Sequence, residues 1–303
     1  MGITNILPID TGNKLNGQYV VRAWHNLPRA QVALLCLLFC LLTVASLLHS
    51  PIAHGEPNPA VTIYHYNPES HSGRSLVLKT TFDRYLQTTD NLQLQPVEDQ
   101  QTFHRIISNA QTDLFIVSDW DFKRLSRKLP DLVPVLRGQK NASDEFLKFL
   151  VIHADNNLKN SGQRPTIAVS GSLEYTITLL GEMTFEGRFN PINNPRFLKV
   201  PKDIDALLSV SFGLADAALA TESSVEKLSQ LYQNEYQKMK VLGISRPQKH
   251  MVVVTQQQNL ESLKWALDKL EAMDQSKEGR LGLNLLGLDS WQPLPSPDGR
   301  TTP

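Results

Sequence analysis

The stretch Gln111-Thr-Asp-Leu-Phe-Ile-Val-Ser-Asp-Trp120 constrains this chain more than any other. Its apolar core, Leu114 to Val117, is short and has no polar alternation, so it reads as a strand covered on both faces. The run stops at Ser118 and Asp119, which together cap a short helix carrying Phe122, Leu125 and Leu129. Gly213 to Ser224 repeats the logic, with a strand expected at 214–219 and Thr221 and Glu222 opening the next helix. Two strand ends that each open a helix with a hydroxyl and an acid imply two α/β lobes with something bound between them.

The flanking segments agree with that reading. Val61 to Tyr66 alternates and is rich in β-branched and aromatic residues, the pattern of a first strand. Leu78, Phe82, Tyr85 and Leu86 share one helical face; Leu92 to Val97 is a second strand; Asp99 caps a helix whose Phe103, Ile106, Ile107 and Ala110 recur at helical spacing. Strand alternating with helix is the signature of an α/β fold built on mainly parallel sheets. Leu132 to Leu136 is a fourth strand, and Phe146 to His153 is an apolar strand read as a crossing to the second lobe.

That lobe is expected to run from a strand at Thr166 to Val169, through the turn Ser170-Gly171-Ser172 and helices carrying Leu173 to Leu180, Leu207 and Val210, and Val225 to Tyr232, to a closing strand at Lys238 to Leu242. Met251 to Val254 returns to the first lobe, where Leu260, Leu263, Leu267 and Leu270 place an amphipathic helix on its sheet. The expected division is lobe 1 at 60–150 plus 250–275 and lobe 2 at 151–249, with two crossing strands near 147–153 and 250–254 as a hinge. The proline-rich stretch 290–303 reads as a disordered tail.

The N-terminal part differs in kind. Val32 to Leu48 is an uncharged apolar run near the lower length limit for a transmembrane helix. Lys14, Arg22 and Arg29 precede it, and no Lys or Arg occurs from His49 to Ser72, so the positive-inside rule leaves residues 1–29 cytoplasmic and exports the rest. Residues 30–50 are thus expected to enter the inner membrane, either as a lasting anchor or as a signal segment cut near Gly55, after the small residues Ala53 and Gly55. Both cysteines, Cys36 and Cys40, lie within the run, which leaves the exported part without disulfide or thiolate chemistry.

The chain carries 30 basic and 30 acidic side chains, a balance that gives no reason to expect nucleic acid as a partner. His65, His71, His104, His153 and His250 are scattered without metal-ligand spacing, and no nucleophile, base and orienting acid are joined in a pattern. No metal, cofactor or catalytic residue is expected.

Taken together, the strand order, the Asp113-Leu-Phe-Ile-Val-Ser118 element, Val133-Pro-Val-Leu followed by an apolar crossing strand, and Gly213-Leu-Ala-Asp-Ala-Ala218 resemble the type II periplasmic solute-binding proteins. The likeness spans about residues 60–275 and is greatest to the phosphate, phosphite and phosphonate branch of ABC-importer receptors. It implies a two-lobed fold preceded by the membrane segment, and a small oxyanion held in the interlobe cleft at helix N-termini, where free N–H groups and the helix dipole favour negative charge. Carried over position by position, it nominates Tyr66, Ser118, Ser170, Gly171, Ser172 and Thr221 as ligand contacts, each at an expected strand end.

Asp119 and Glu222 stand beside the nominated hydroxyls, and a carboxylate near a dianion is unfavourable unless the ligand also carries an ammonium. The expected ligand is therefore anionic or zwitterionic: a phosphonate, phosphite or amino-acid-like molecule rather than phosphate itself. Where the branch shows a Ser-Thr-Ser-Gly-like run, this chain has Ser170-Gly171-Ser172 followed by Leu173, Glu174 and Tyr175. Three roles follow: a receptor feeding an ABC permease, a membrane-tethered periplasmic sensor or partner domain with altered or lost binding, and, with no constellation behind it, an enzyme on the same fold.

Overall fold

Near-continuous apolar strands need cover on both faces, and here amphipathic helices supply it on two six-stranded sheets. The computed structural model describes residues 60–69, 75–87, 91–109, 113–156, 158, 164–185 and 194–295. The membrane segment at 30–50 lies outside the described residues, as do the nearby cleavage site and the final residues 296–303. Among the described residues, no helix is long and apolar enough to cross a membrane.

The first lobe begins with β1 (Val61–Tyr66), α1 (Ser75–Leu86), β2 (Leu92–Pro96), α2 (Gln100–Asn109), β3 (Leu114–Val117), α3 (Asp119–Leu125) and β4 (Leu132–Gln139). The chain passes through β5 (Glu145–Phe146) into the second lobe: β6 (Lys148–His153), β7 (Thr166–Val169), α4 (Leu173–Glu182), β8 (Thr184–Phe185), β9 (Arg196–Lys199), α5 (Asp203–Ser211), β10 (Ala217–Thr221), α6 (Glu222–Leu231), α7 (Gln233–Tyr236) and β11 (Met239–Ile244). It returns through β12 (Gln248–Lys249) to β13 (Val252–Gln256), α8 (Leu260–Glu271), α9 (Lys277–Leu286) and β14 (Ser290–Pro293).

The sheets have matching plans. In lobe 1 the order is β14-β4-β13-β3-β1-β2, and in lobe 2 it is β8-β11-β6-β10-β7-β9. Each sheet is mixed: β2, β1 and β3 pair in parallel, as do β9, β7 and β10, while the fourth strand in each case arrives from the other lobe and runs antiparallel. β13 fills that place in lobe 1 between β3 and β4; β6 fills it in lobe 2 between β10 and β11.

This exchange corrects where the crossings lie. Residues 148–153 and 252–256 are interior sheet strands, and the passages between lobes are the shorter segments around β5 and β12. These two pair antiparallel, Gln248 with Phe146 and Lys249 with Glu145, and form a hinge ribbon of their own. The Lys249 ammonium sits 2.9 Å from both Asp144 and Glu145, tying the two strands together.

Both faces of each sheet are sealed. In lobe 1, Ile63, Leu94, Ile116 and Val253 pack against Phe82, Leu263 and Leu283, while Phe115, Val117 and Val254 pack against Phe103 and Leu125 on the other side. In lobe 2, Ile152, Ile167 and Leu219 pack under Tyr175 and Leu179, and Val151, Ala168 and Ala220 under Leu207 and Leu228.

Two sequence expectations fail here for physical reasons. The strand anticipated at 214–219 begins at Ala217, because α5 ends in a turn where Gly213 takes φ +67 and the Ser209 carbonyl accepts from the Leu214 and Ala215 N–H groups. Leu214 is consequently 66% exposed. The anticipated tail is ordered at its start: Ser290 to Pro293 pairs with Leu136 to Gln139 as an edge strand, with Trp291 only 4% exposed. Proline lacks an N–H and is tolerated on an edge, so Pro293 does not forbid the pairing.

Candidate functional site: the cleft between the lobes

Of the strand ends that the sequence singled out, those after β3 and β7 lead into helices that meet across the lobes. Ser118 follows β3 in extended conformation and its Oγ accepts the Asp121 N–H at 3.1 Å, capping α3. Asp119, the next residue, is buried, with Oδ1 2.8 Å from Arg137 Nη1 and Oδ2 2.6 Å from Lys123 Nζ. Two cations therefore offset its charge, which weakens the sequence argument that Asp119 demands an ammonium on the ligand.

On lobe 2, Ser172 caps α4 through the Tyr175 N–H at 3.3 Å, and its own N–H donates to the Pro68 carbonyl of lobe 1 at 2.6 Å. Gly171 makes that approach feasible, since a Cβ there would lie 3.0 Å from the Glu69 carbonyl oxygen and 3.1 Å from that of Pro68. The lobes meet again where Trp120 stands edge-on to Tyr175 at 5.6 Å, and where Arg124, stacked over Trp120, reaches Glu174 at 2.7 Å.

Three nominated residues are arranged otherwise. The Ser170 hydroxyl donates to one oxygen of Asp203, while the Thr221 N–H donates to the other at 2.7 Å. Lys148 Nζ lies 3.4 Å from that second oxygen, so one buried carboxylate gathers donors from β6, from β10 and from the residue after β7. Burial works to raise the Asp203 carboxyl, but Lys148, Ser170 and Thr221 outweigh it and hold the group below the usual carboxylate range. Glu222 is exposed, with its N–H donating to Leu147. Tyr66 is a core residue, stacked on Phe103 at 5.2 Å; burial first and the Asp121 charge next push its hydroxyl up to about 12.

Comparison with known proteins bears on the fold. No protein-family model and no curated protein matches the sequence. Among solved structures, the chain is similar to a binding protein component of an ABC phosphonate transporter from Pseudomonas aeruginosa, at TM-score 0.55 and 15% identity over 78% of this chain and 82% of that one. It is similar also to a Prochlorococcus marinus protein solved in complex with methylphosphonate, at 0.56 and 13% over 78% and 93%, and to a Xanthomonas citri protein bound to ATP, at 0.55 and 11% over 79% and 93%. The chain has the type II periplasmic-binding fold.

Between the lobes lies a cavity of about 540 Å³. α3 contributes Trp120, Lys123 and Arg124, and the turn after it Arg127; α4 contributes Glu174, Thr178 and Glu182 at successive turns; Arg246 to Lys249 of the hinge close one side. Five cationic side chains, Lys123, Arg124, Arg127, Arg246 and Lys249, stand among four acids, Glu69, Asp119, Glu174 and Glu182. Such a lining suits a small ligand carrying negative charge, or both signs. Among the described residues no group of His, Cys, Asp and Glu is arranged to hold a metal ion.

The inner wall of the cavity holds the residue that sequence reasoning missed. The Glu69 side chain lines the cavity, and its charge is felt by Lys148, Asp119 and Asp203. Its burial, the larger effect, raises its pKa to about 7, with the two neighbouring acids adding to the rise and Lys148 and Ser118 opposing it. Lys148 was detectable as the one charge inside the apolar run Phe146 to His153. Glu69 left no comparable signal, because it lies in a loop after Asn67-Pro68 and acquires its surroundings only when lobe 2 arrives.

Proposed function

We propose that this chain is an extracytoplasmic solute-binding protein that takes a small anionic or zwitterionic ligand, phosphonate-like in its oxyanion, between its lobes and presents it to an ABC-type permease. The reading is of a non-catalytic receptor on the periplasmic side of the inner membrane, held there by residues 30–50 or released by cleavage near Gly55. The observation that carries it is the interlobe cavity of about 540 Å³, flanked by the capped starts of α3 and α4 and lined by five cations and four acids. Of the nominated contacts, Asp119 lines this cleft, Ser118 caps the helix that carries it, and Gly171 and Ser172 meet the Pro68–Glu69 backbone. Ser170 and Thr221 act through Asp203, and Tyr66 and Glu222 serve packing and the strand end.

The test is a thermal-shift and calorimetric screen of the full chain against methylphosphonate, an aminoalkylphosphonate, phosphite, inorganic phosphate and amino acids. A true ligand at about 100 times its dissociation constant adds about 2.7 kcal/mol to stability. Silence from every compound would retire the receptor reading.

A second reading is favoured by one specific feature: the chain's own Asp203 carboxylate already holds the Ser170 hydroxyl and the Thr221 N–H. A tethered sensor or partner domain that uses the fold for contact with another membrane protein has no need of free donors. N-terminal sequencing of the mature protein separates the two, since a chain starting after Gly55 has lost its tether.

A further inference from the structure

The helix α3 divides its side chains between two lobes. Phe122 and Leu125 pack into the core of lobe 1, and at about 100° per residue Trp120 stands on the other side of the helix. There it packs against the core of lobe 2, the cluster that holds Tyr175 and Leu179. A large aromatic ring on a helix of one lobe is thus covered by the other, and parting the lobes would return that ring to water.

The neighbouring contacts reinforce this one. Tyr175, 1% exposed, meets Trp120 edge-on at 5.6 Å. Arg124, one turn further along α3, stacks over the Trp120 ring at 4.5 Å and reaches Glu174 of lobe 2 at 2.7 Å. Its Nη1 is shut off from solvent, the setting in which a cation over an indole face attracts most strongly. The ion pair itself is partly exposed and holds weakly alone, so the ring is the principal contact. Across the same gap the Ser172 N–H donates to the Pro68 carbonyl at 2.6 Å, with the bare backbone of Gly171 leaving room for the approach.

We propose that Trp120, backed by Arg124, is a clasp that holds the two lobes shut with no solute between them. Trp120, Arg124 and Glu174 also line the interlobe cavity, so entry to it waits on withdrawal of the ring from lobe 2. The clasp stands without the receptor reading; the gating of a solute rests on it. A solute that must wait for opening associates more slowly, and its net affinity is lowered by the fraction of time the lobes are shut.

Hydrogen–deuterium exchange on the full chain tests the clasp. The Ser172 amide is the reporter, because its acceptor belongs to the other lobe and it is freed whenever the lobes part. In Trp120→Ala it exchanges about ten-fold faster than in the unaltered chain, the factor that corresponds to one edge-to-face aromatic pair, while β3 and β7 keep their protection. An unchanged rate overturns the proposal, and so does a rise shared by β3 and β7, which is lost stability and not lost closure. Arg124→Gln, at a partly exposed side chain, guards against a folding defect in the alanine variant. There the same amide exchanges about two- to five-fold faster, the range for an exposed ion pair, and no rise overturns the part given to Arg124. Stopped-flow mixing with methylphosphonate and with inorganic phosphate, followed by tryptophan fluorescence, tests the gating. Association with the unaltered chain reaches a ceiling as concentration rises, and Arg124→Gln lifts that ceiling by the same two- to five-fold, about the worth of the ion pair. A rate that climbs without limit in the unaltered chain overturns the gating. Faster Ser172 exchange in Trp120→Ala with neither anion bound supports the clasp and counts against the receptor reading alone.

Discussion

Replacing Asp203 by alanine is the perturbation whose cost is best defined. Its carboxylate is the only ion-pair partner of Lys148 among the described residues, at 3.4 Å, and the two side chains are 10% and 4% exposed. It also accepts the Thr221 N–H at 2.7 Å and the Ser170 hydroxyl. Breaking a buried pair by deleting one member costs about 3–5 kcal/mol, because the other charge is left uncompensated. The separation of 3.4 Å and the second acid facing Lys148, Glu69, place this case near the lower end, about 3 kcal/mol. An unmatched Thr221 N–H adds about 1 kcal/mol.

Urea unfolding followed by circular dichroism should show that loss of about 3–4 kcal/mol as a lower midpoint at constant slope. The companion variant Asp203→Ala/Lys148→Met removes the stranded ammonium, which stands 5.8 Å from the Tyr175 ring centroid, while keeping an unbranched apolar side chain, and should recover about half of the loss or more. The reasoning is refuted if the single change costs under about 1 kcal/mol, or if the double change is no more stable than the single.

Three other outcomes are expected. Because the folded pKa of Glu69 stands near 7 against an ordinary 4.5, its contribution is full below pH 4.5 and is lost as pH rises toward 7. At about 1.4 kcal/mol per pH unit the ceiling is about 3 kcal/mol, discounted to about 1–2 for its contact with cavity solvent; a pH series of unfolding midpoints that is no flatter in Glu69→Gln would disprove the assignment. Gly171→Ala brings a methyl to within 3.0 Å of the Glu69 carbonyl, so it should cost about 1–2 kcal/mol and speed amide exchange at Ser172; an unaltered rate there would show the contact to be dispensable. Trp291→Ala should cost about 3–5 kcal/mol in the same unfolding assay, whereas a disordered tail would make it neutral.

The two-lobe architecture was legible because it is written in short-range patterns. Leu114 to Val117 is apolar without alternation and proves buried at all four positions; Leu78, Phe82, Tyr85 and Leu86 share one helical face and all four are buried. Cap chemistry was equally local, so Ser118 and Ser172 do start helices. The strand at 290–293 was misread because proline content is a compositional signal, whereas Trp291 is held by a partner strand some 150 residues away in sequence. At 214–219 the pattern was right in kind and displaced in register, since alanine and leucine fit a helix-ending turn as readily as a strand.

The amino-acid sequence by itself determined most of the elements: which segments form strands and helices, which of their faces are buried, and that Ser118 caps a helix. These follow from periodicity and from the obligation of every backbone group to find a partner nearby. Only the tertiary structure decided what the capping residues meet. Asp119 finds Arg137 and Lys123, Ser170 and Thr221 find Asp203, and the helix that Ser118 starts finds Tyr175 and Glu174 of lobe 2 through Trp120 and Arg124. Electrostatic partnership depends on distances of a few ångströms between groups far apart in the chain, and such distances exist only once both lobes have folded and met.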